Sequence, residues 1–348
     1  MTEAIPQFTP VTLLTGFLGS GKTTLLQRLL ADPSLADTAV LINEFGEVGL
    51  DHHLLQRIDD NTVLLQSGCV CCTIRGELSD AMRDLHSRRS RGDIPPFRRL
   101  AIETTGLADP FPVLTTLHAD PVLKHHFRVA GVITTVDAVN GSAQMLRYAE
   151  SVKQAAVADR LVITKTDLAD PEQTWKLLST LKQINPAARI LYAASPNLDS
   201  AALLAATPFD AGAHGDMVRE WFHEAGHAHH HDHAGHDPNR HGNIHAFALT
   251  FDRPLDWTVF GIWLTMLLNR HGEQVLRVKG ILDVGGGSPP VAIHGVQHLV
   301  HPPVHMQDWP DAARASRIVF IVNGLQRADI EASLAGFMAL ASPAPAAA

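Results

Sequence analysis

Short apolar runs rich in β-branched residues alternate with stretches of helical periodicity through the first part of the chain. Val11-Thr12-Leu13-Leu14 and residues 39–43, 62–66, 100–103, 129–137, 160–164 and 189–193 are short and apolar on successive positions, as buried strands are. Between them lie segments such as Thr24-Leu25-Leu26-Gln27-Arg28-Leu29-Leu30, whose apolar residues recur with the period of an amphipathic helix. The alternation predicts an α/β domain over residues 1–212, with a mostly parallel sheet and helices on both of its faces.

The pattern then lapses. Residues 213–243 hold few aliphatic side chains, and nine of the chain's 21 histidines fall between His223 and His245. A segment so poor in apolar surface predicts a mobile linker. Strand signals return at 244–251, 275–282, 290–294 and 317–322, with helical periodicity at 257–269 and 326–338, so residues 244–341 read as a second, smaller α+β domain. The Ala/Pro-rich end, 342–348, is expected to be a disordered tail.

Composition narrows the function classes. The 348 residues are 45% hydrophobic and 18% charged, ordinary for a globular protein with two cores. A formal charge of −8 and the absence of any long Lys/Arg run argue against DNA or RNA as a partner. Met1 to Pro10 has no apolar targeting segment, and no run is long enough to span a bilayer, so no membrane partner and a cytoplasmic address are expected. The three cysteines, Cys69, Cys71 and Cys72, sit too close together for a disulfide framework and suit a reducing compartment where thiolates hold metal.

The chemistry begins at Gly16-Phe17-Leu18-Gly19-Ser20-Gly21-Lys22-Thr23, a complete GxxxxGK[ST] phosphate loop, followed by Thr24. A strand precedes it and a helix follows, which is the context that makes this a P-loop NTPase signal. The glycines let backbone N–H groups face phosphate oxygens at a helix N-terminus, Lys22 neutralises β/γ charge, and the Thr23 hydroxyl can ligate Mg²⁺. Leu100-Ala101-Ile102 runs into Glu103, a carboxylate at a strand end where Mg²⁺ is usually braced, and Gly106 allows the next loop to turn against a γ-phosphate. Asn43-Glu44-Phe45-Gly46-Glu47-Val48-Gly49-Leu50-Asp51 follows another strand and has the composition of a first switch loop or of an acidic solvated loop.

Thr164-Lys165-Thr166-Asp167 closes the strand at 160–164. The Asp167 carboxylate can accept from the N1–H and the amino group of guanine, a donor pair adenine lacks, and the Lys165 stem can cover the base. Thr164 stands where an asparagine is common and cannot supply that residue's amide tether. A helix-capping role for Asp167 is the plainer alternative.

The Cys-x-Cys-Cys cluster suits Zn²⁺, Cu⁺ or Co²⁺ better than Mg²⁺, and three such close thiolates need a fourth ligand from elsewhere, which favours an exchangeable site over a closed one. Three small buried hydrophobes are the alternative reading. His227, His229, His230, His231 and His233 with Asp232 form either a loose metal-collecting tract or a solvated linker. His294, His298, His301 and His305 read as structural.

Taken together, GFLGSGKTT, NEFGEVGLD, GCVCC, ETTGLADP, TKTD and RVKGIL resemble the CobW-type metallochaperone branch of the G3E P-loop GTPases over nearly the whole chain. The resemblance implies Mg²⁺–GTP binding and slow GTP hydrolysis in the first domain, a GTP-gated transition-metal site at Cys69, Cys71 and Cys72, and a C-terminal domain that contacts a metalloprotein client. By motif, Gly16, Gly19, Ser20, Gly21, Lys22, Thr23 and Thr24 would hold phosphates, while Thr23, Glu103 and Asp51 would support Mg²⁺. Gly106 would sense the γ-phosphate, and Lys165 with Asp167 would read guanine. Zn²⁺ is the expected cargo, with Co²⁺ next, and an oligomer is compatible with the sequence. Two other classes remain open at this point: a zinc buffer or sensor in which nucleotide is only structural or regulatory, and a small-molecule kinase, which would leave TKTD and CVCC without a task.

Overall fold

The computed structural model describes residues 8–43, 64–66, 74–204, 243–285, 289–310 and 314–341. The chain forms two compact units, Met1–Thr180 with Ala188–Thr207 and Leu181–Ala187 with Pro208–Ala348.

The first unit is built on a seven-stranded sheet: β1 (Thr9–Gly16), β2 (Thr38–Asn43), β3 (Leu64–Gln66), β4 (Arg99–Thr104), β5 (Phe127–Asp137), β6 (Arg160–Thr164) and β7 (Arg189–Tyr192), in the order β3-β2-β4-β1-β5-β6-β7. Every pairing is parallel. Leu13 and Leu14, adjacent on β1, point to opposite faces and are both buried, so the sheet is covered on each side. On one face Leu14, Val40, Ala101, Ile133 and Val162 pack against Leu25, Leu26 and Leu29 of α1 (Lys22–Leu30). Each buried Leu, Ile or Val among them contributes about 1.5–3 kcal/mol.

Among the described residues up to 204, the further α-helices are α2 (Ile74–Arg91), α3 (Phe111–Ala119), α4 (Leu123–His126), α5 (Gly141–Arg147), α6 (Ala149–Val157), α7 (Pro171–Ile184) and α8 (Ser200–Leu204). Asp120, between α3 and α4, ties α2 down: its carboxylate accepts from Ser79 Oγ, from Arg83 Nη2 at 2.6 Å, and from the backbone N–H groups of Val122 and Leu123 at 2.8 and 3.0 Å. Burial alone would raise this carboxyl, but the donors outweigh it and hold it at about 2.

Parallel pairing brings four strand ends to one edge. Leu14 of β1 is level with Glu103 of β4, Gly16 with Thr135 of β5, and Asp137 of β5 with Thr164 of β6. That edge, flanking the central β1 where neighbouring strands lie on both sides of it, is the crevice in which open α/β sheets bind ligands.

The second unit is an antiparallel sheet of β8 (Ile244–Phe251), β9 (Val275–Leu282), β10 (Val291–Val296), β11 (Leu299–Val300), β12 (Val304–His305) and β13 (Ser316–Asn323). One face packs Val278, Ile293 and Phe320 against Phe260, Trp263 and Leu264 of α9 (Trp257–His271) and Ile330 and Leu334 of α10 (Arg327–Ala341). Trp263 Nε1 donates to Ser333 Oγ at 3.1 Å, which satisfies the indole inside this core.

The strand expected at 290–294 is present as Val291–Val296, shifted toward the C-terminus, and that expected at 317–322 is one residue longer at each end, whereas β11 and β12 have no counterpart in the sequence pattern. Two-residue strands around a Pro-Pro turn leave no periodic trace. Three of the four histidines of this region are tied into the fold: His294 and His301 stack 4.4 Å apart, and His298 Nδ1 lies 2.9 Å from the Leu268 carbonyl. Among the described residues, no helix is long and apolar enough to cross a membrane.

Candidate functional site

The edge above β1 opens into a cavity of about 330 Å³ lined by Gly19, Lys22, Thr23, Glu103, Gly106 and Lys165, with Leu18, Gly21 and Thr24 among its other walls. The loop that forms its floor is dictated by glycine. Gly19 (φ 71°) and Gly21 (φ 89°) occupy the left-handed region, and a Cβ on Gly16 (φ 142°) would lie 2.3 Å from Thr135 Oγ1. Ser20 N–H donates to the Phe17 carbonyl at 3.1 Å, closing the turn, and the Ser20 and Thr135 hydroxyls share a 2.6 Å hydrogen bond that pins the loop to β5.

Lys22 is buried, and its ammonium donates to the carbonyls of Gly16 at 3.0 Å and Phe17 at 3.3 Å. The loop's own carbonyls thus hold the cation beside the cavity. Thr23 Oγ1 donates to Glu103 Oε1 at 2.8 Å, and Glu103 is itself buried. A hydroxyl and a carboxylate are hard oxygen donors, and placed together beside a phosphate-binding floor they fit Mg²⁺. Gly106 follows three residues later and presses on the phosphate loop: a Cβ there would sit 2.6 Å from Leu18 N. Only glycine permits that approach.

On the other side of the cavity, the Thr164 hydroxyl donates to the Ser20 carbonyl at 2.8 Å. Thr164 has no amide to offer, but its hydroxyl still fastens this strand end to the phosphate loop. Lys165 adopts a left-handed backbone (φ 56°), and its ammonium donates to the Gly19 carbonyl at 2.8 Å and to Asp137 Oδ2 at 2.7 Å. Asp137 is buried, which would push its carboxyl up. Donation from Lys165, from the Asn140 side chain and from the Asn140 and Val139 N–H groups more than offsets this, and the carboxyl lies below its ordinary value. Asp167 is exposed two residues beyond Lys165 and is not part of the cavity wall.

Lys22, Thr23, Thr24, Glu103, Gly106 and Lys165 are thus brought to one cavity from the start of α1, the end of β4 with its following loop, and the loop after β6, with Gly19 and Gly21 beneath. Asp51, Cys69, Cys71 and Cys72 lie outside the described residues, as do the tract His227, His229, His230, Asp232 and its neighbours. Asp137 joins the site without belonging to any of the motifs above, although a carboxylate ending a buried strand between the phosphate-loop strand and the TKTD strand must reach the same edge. Gln154, on α6, also lies beside this loop and carries no signal in the sequence, because a lone glutamine in a helix has no motif.

The family described as CobW/HypB/UreG, nucleotide-binding domain, matches residues 10–192, and the cobalamin synthesis protein cobW C-terminal domain matches residues 244–338. The zinc chaperone YjiA of Escherichia coli K12 is 33% identical over 326 residues, covering 94% of this chain and 98% of its own. The zinc chaperone CobW of Pseudomonas aeruginosa is 30% identical over 353 residues, covering 92% and 89%. The crystal structure of the Zn(II)-bound YjiA GTPase from E. coli matches with a TM-score of 0.71 at 30% identity, covering 95% of this chain and 99% of that one.

Proposed function

The chain belongs to the CobW/HypB/UreG family of nucleotide-binding proteins and carries the CobW C-terminal domain, and on that premise we propose that it is a GTP-hydrolysing metallochaperone that binds zinc in a GTP-dependent way and delivers it to a metalloprotein client. The observation that carries the reading is the convergence of Lys22, Thr23, Glu103 and Lys165 on one cavity. Zinc is the proposed cargo because the relatives above bear it in their names and the CVCC thiolates favour it over harder ions. Co²⁺ is the second choice.

In this account the amides of Gly19, Gly21 and Lys22 cradle the phosphates, and the Lys22 ammonium leaves its carbonyl partners to stabilise charge on the β/γ oxygens. Thr23 and Glu103 would hold Mg²⁺, with Asp51 assisting; Mg²⁺ when bound neutralises charge developing on the phosphates. Lys165 and Asp167 read the base. Gly106 reports the γ-phosphate to the second switch, the first being the NEFGEVGLD loop, and both constrain the segment that carries Cys69, Cys71 and Cys72. Residues 1–212 form the GTPase domain, 213–243 the histidine-rich linker and 244–341 the client-facing domain, in a protein that works in the cytoplasm.

The test is a Zn²⁺ competition titration without nucleotide, with Mg²⁺–GDP and with a Mg²⁺–GTP analogue, in the parent and in Cys69→Ser/Cys71→Ser/Cys72→Ser. Tightening by the analogue in the parent alone supports the proposal. One affinity in all three states would replace it with a zinc buffer in which nucleotide plays no gating part.

A further inference from the structure

Gln154 is only 1% exposed, yet it is a polar side chain on the inner face of α6. Its Nε2 donates to two backbone carbonyls of the loop after β4, Gly106 at 3.2 Å and Ala108 at 3.0 Å. Its Oε1 is buried with no hydrogen-bond partner among the described residues. A half-satisfied buried amide is costlier than an apolar side chain of the same shape, so its place calls for a reason in function. Both hydrogens of one amide are committed to a loop that lines the nucleotide cavity.

The neighbouring contacts point the same way. Lys153 Nζ lies 3.2 Å from Asp109 Oδ2, and the other oxygen of that carboxylate accepts from Phe111 N–H at 3.0 Å, where α3 begins. The Gln154 carbonyl in turn accepts from the Thr134 hydroxyl of β5 at 2.8 Å, fixing α6 to the sheet. Residue 148, which opens α6, stacks on the phosphate loop, with the Phe17 and Tyr148 rings 4.7 Å apart. One short helix therefore grips both loops that face the phosphates.

We propose that Gln154 is a positioning residue for GTP hydrolysis: it holds the Gly106–Ala108 carbonyls so that Gly106 stays against Leu18 at the γ-phosphate end of the cavity, with Lys153 bracing the same loop through Asp109. The inference rests on the GTPase reading. Gln154 touches no reacting atom, and its influence is exerted where GTP and GDP differ. Losing it should slow the chemical step and leave the binding of GDP, which makes no demand on Gly106, as it was.

The experiment compares parent, Gln154→Leu and Lys153→Ala by single-turnover GTP hydrolysis and by titration with fluorescent GDP and a non-hydrolysable GTP analogue. Gln154→Leu, close in size and unable to donate, should lower the hydrolysis rate about tenfold and erode the analogue's advantage over GDP, with GDP affinity within about twofold of the parent. Lys153→Ala, at a half-exposed position, should lower the rate about threefold by the same route. Parent-like rates and parent-like GDP/analogue ratios in the folded variants would overturn the proposal, and Lys153→Ala alone decides it if Gln154→Leu does not fold. Equal loss of GDP and GTP affinity would also overturn it, marking a purely structural role. A parent that binds GTP and does not hydrolyse it would count against the GTPase reading, a separate outcome.

Discussion

The two sides of the nucleotide cavity are built differently. On the side proposed to take the base, Thr164 and Lys165 are fastened to the carbonyls of Ser20 and Gly19, and Asp137 anchors Lys165 while also accepting from the Asn140 side chain and the Asn140 and Val139 N–H groups. These are charge-assisted and backbone bonds that a nucleotide has no need to break. On the phosphate side, Thr23 bonds Glu103 directly, and Lys22 rests on Gly16 and Phe17. Each of these groups is one that Mg²⁺ or phosphate oxygens would claim. In the proposed reading the first side is a scaffold that stays as it is, while the second offers contacts that a bound nucleotide would exchange for its own, as a switch requires.

The largest effect is expected from Lys22→Ala, which removes the buried cation beside the phosphates; Mg²⁺–GTP binding measured by fluorescent-nucleotide titration should weaken about 100-fold or more with the melting temperature preserved. Binding equal to the parent's would remove the phosphate loop from the account. Asp167→Ala should cut the preference for GTP over ATP about 10- to 100-fold, the worth of hydrogen bonds to a charged acceptor, as read by competing the two nucleotides. Undiminished preference would move base reading to another group.

Asp137→Ala leaves Lys165 with only the Gly19 carbonyl of its two anchors named above and should weaken GTP and GDP alike, by about tenfold. An effect on GTP only would mean that the base side also senses the γ-phosphate. Asp120 lies outside both sides and serves as a control. Its carboxyl titrates at about 2 in the folded protein against an ordinary 3.8, so the unfolded chain binds more protons between those values. Its contribution, on the order of 2 kcal/mol at most, is complete above pH 5 and is lost as pH falls toward 2. Asp120→Asn should flatten that part of the acid-unfolding curve and leave nucleotide selectivity unaltered. The smallest effect on catalysis belongs to deletion of residues 227–241, which should lower the number of weakly held metal ions and leave GTP hydrolysis unchanged.

Much of this was legible in the chain. β1, β4, β5 and β6 are apolar on consecutive residues because both faces are covered, so their existence follows from periodicity and their parallel pairing from the alternation with helical segments, and the glycines of the phosphate loop announce a turn no other residue can make. Glu103 was readable for a related reason: a lone carboxylate ending the run Leu100-Ala101-Ile102 has no place in a core and must emerge at an edge. What could not be read depends on contacts across long stretches of sequence. Thr164 looked like a defective asparagine until the fold set its hydroxyl 2.8 Å from Ser20 O, and Gln154 looked like any helical glutamine until Gly106 and Ala108 were brought beneath it. Hydrogen bonds of that kind have no period and no motif, only geometry.

If nucleotide and zinc share one switch, as proposed, each must change the other's affinity by the same factor. GTP-analogue affinity is measured with and without saturating Zn²⁺, and Zn²⁺ affinity with and without saturating Mg²⁺–GTP analogue. The account predicts that the two factors are equal and greater than one, on the order of 5- to 150-fold for a coupling of typical strength, and that both fall to one when Cys69, Cys71 and Cys72 are replaced by serine. Zn²⁺ that binds the parent equally well in every nucleotide state, with GTP-analogue affinity equally indifferent to Zn²⁺, would contradict it.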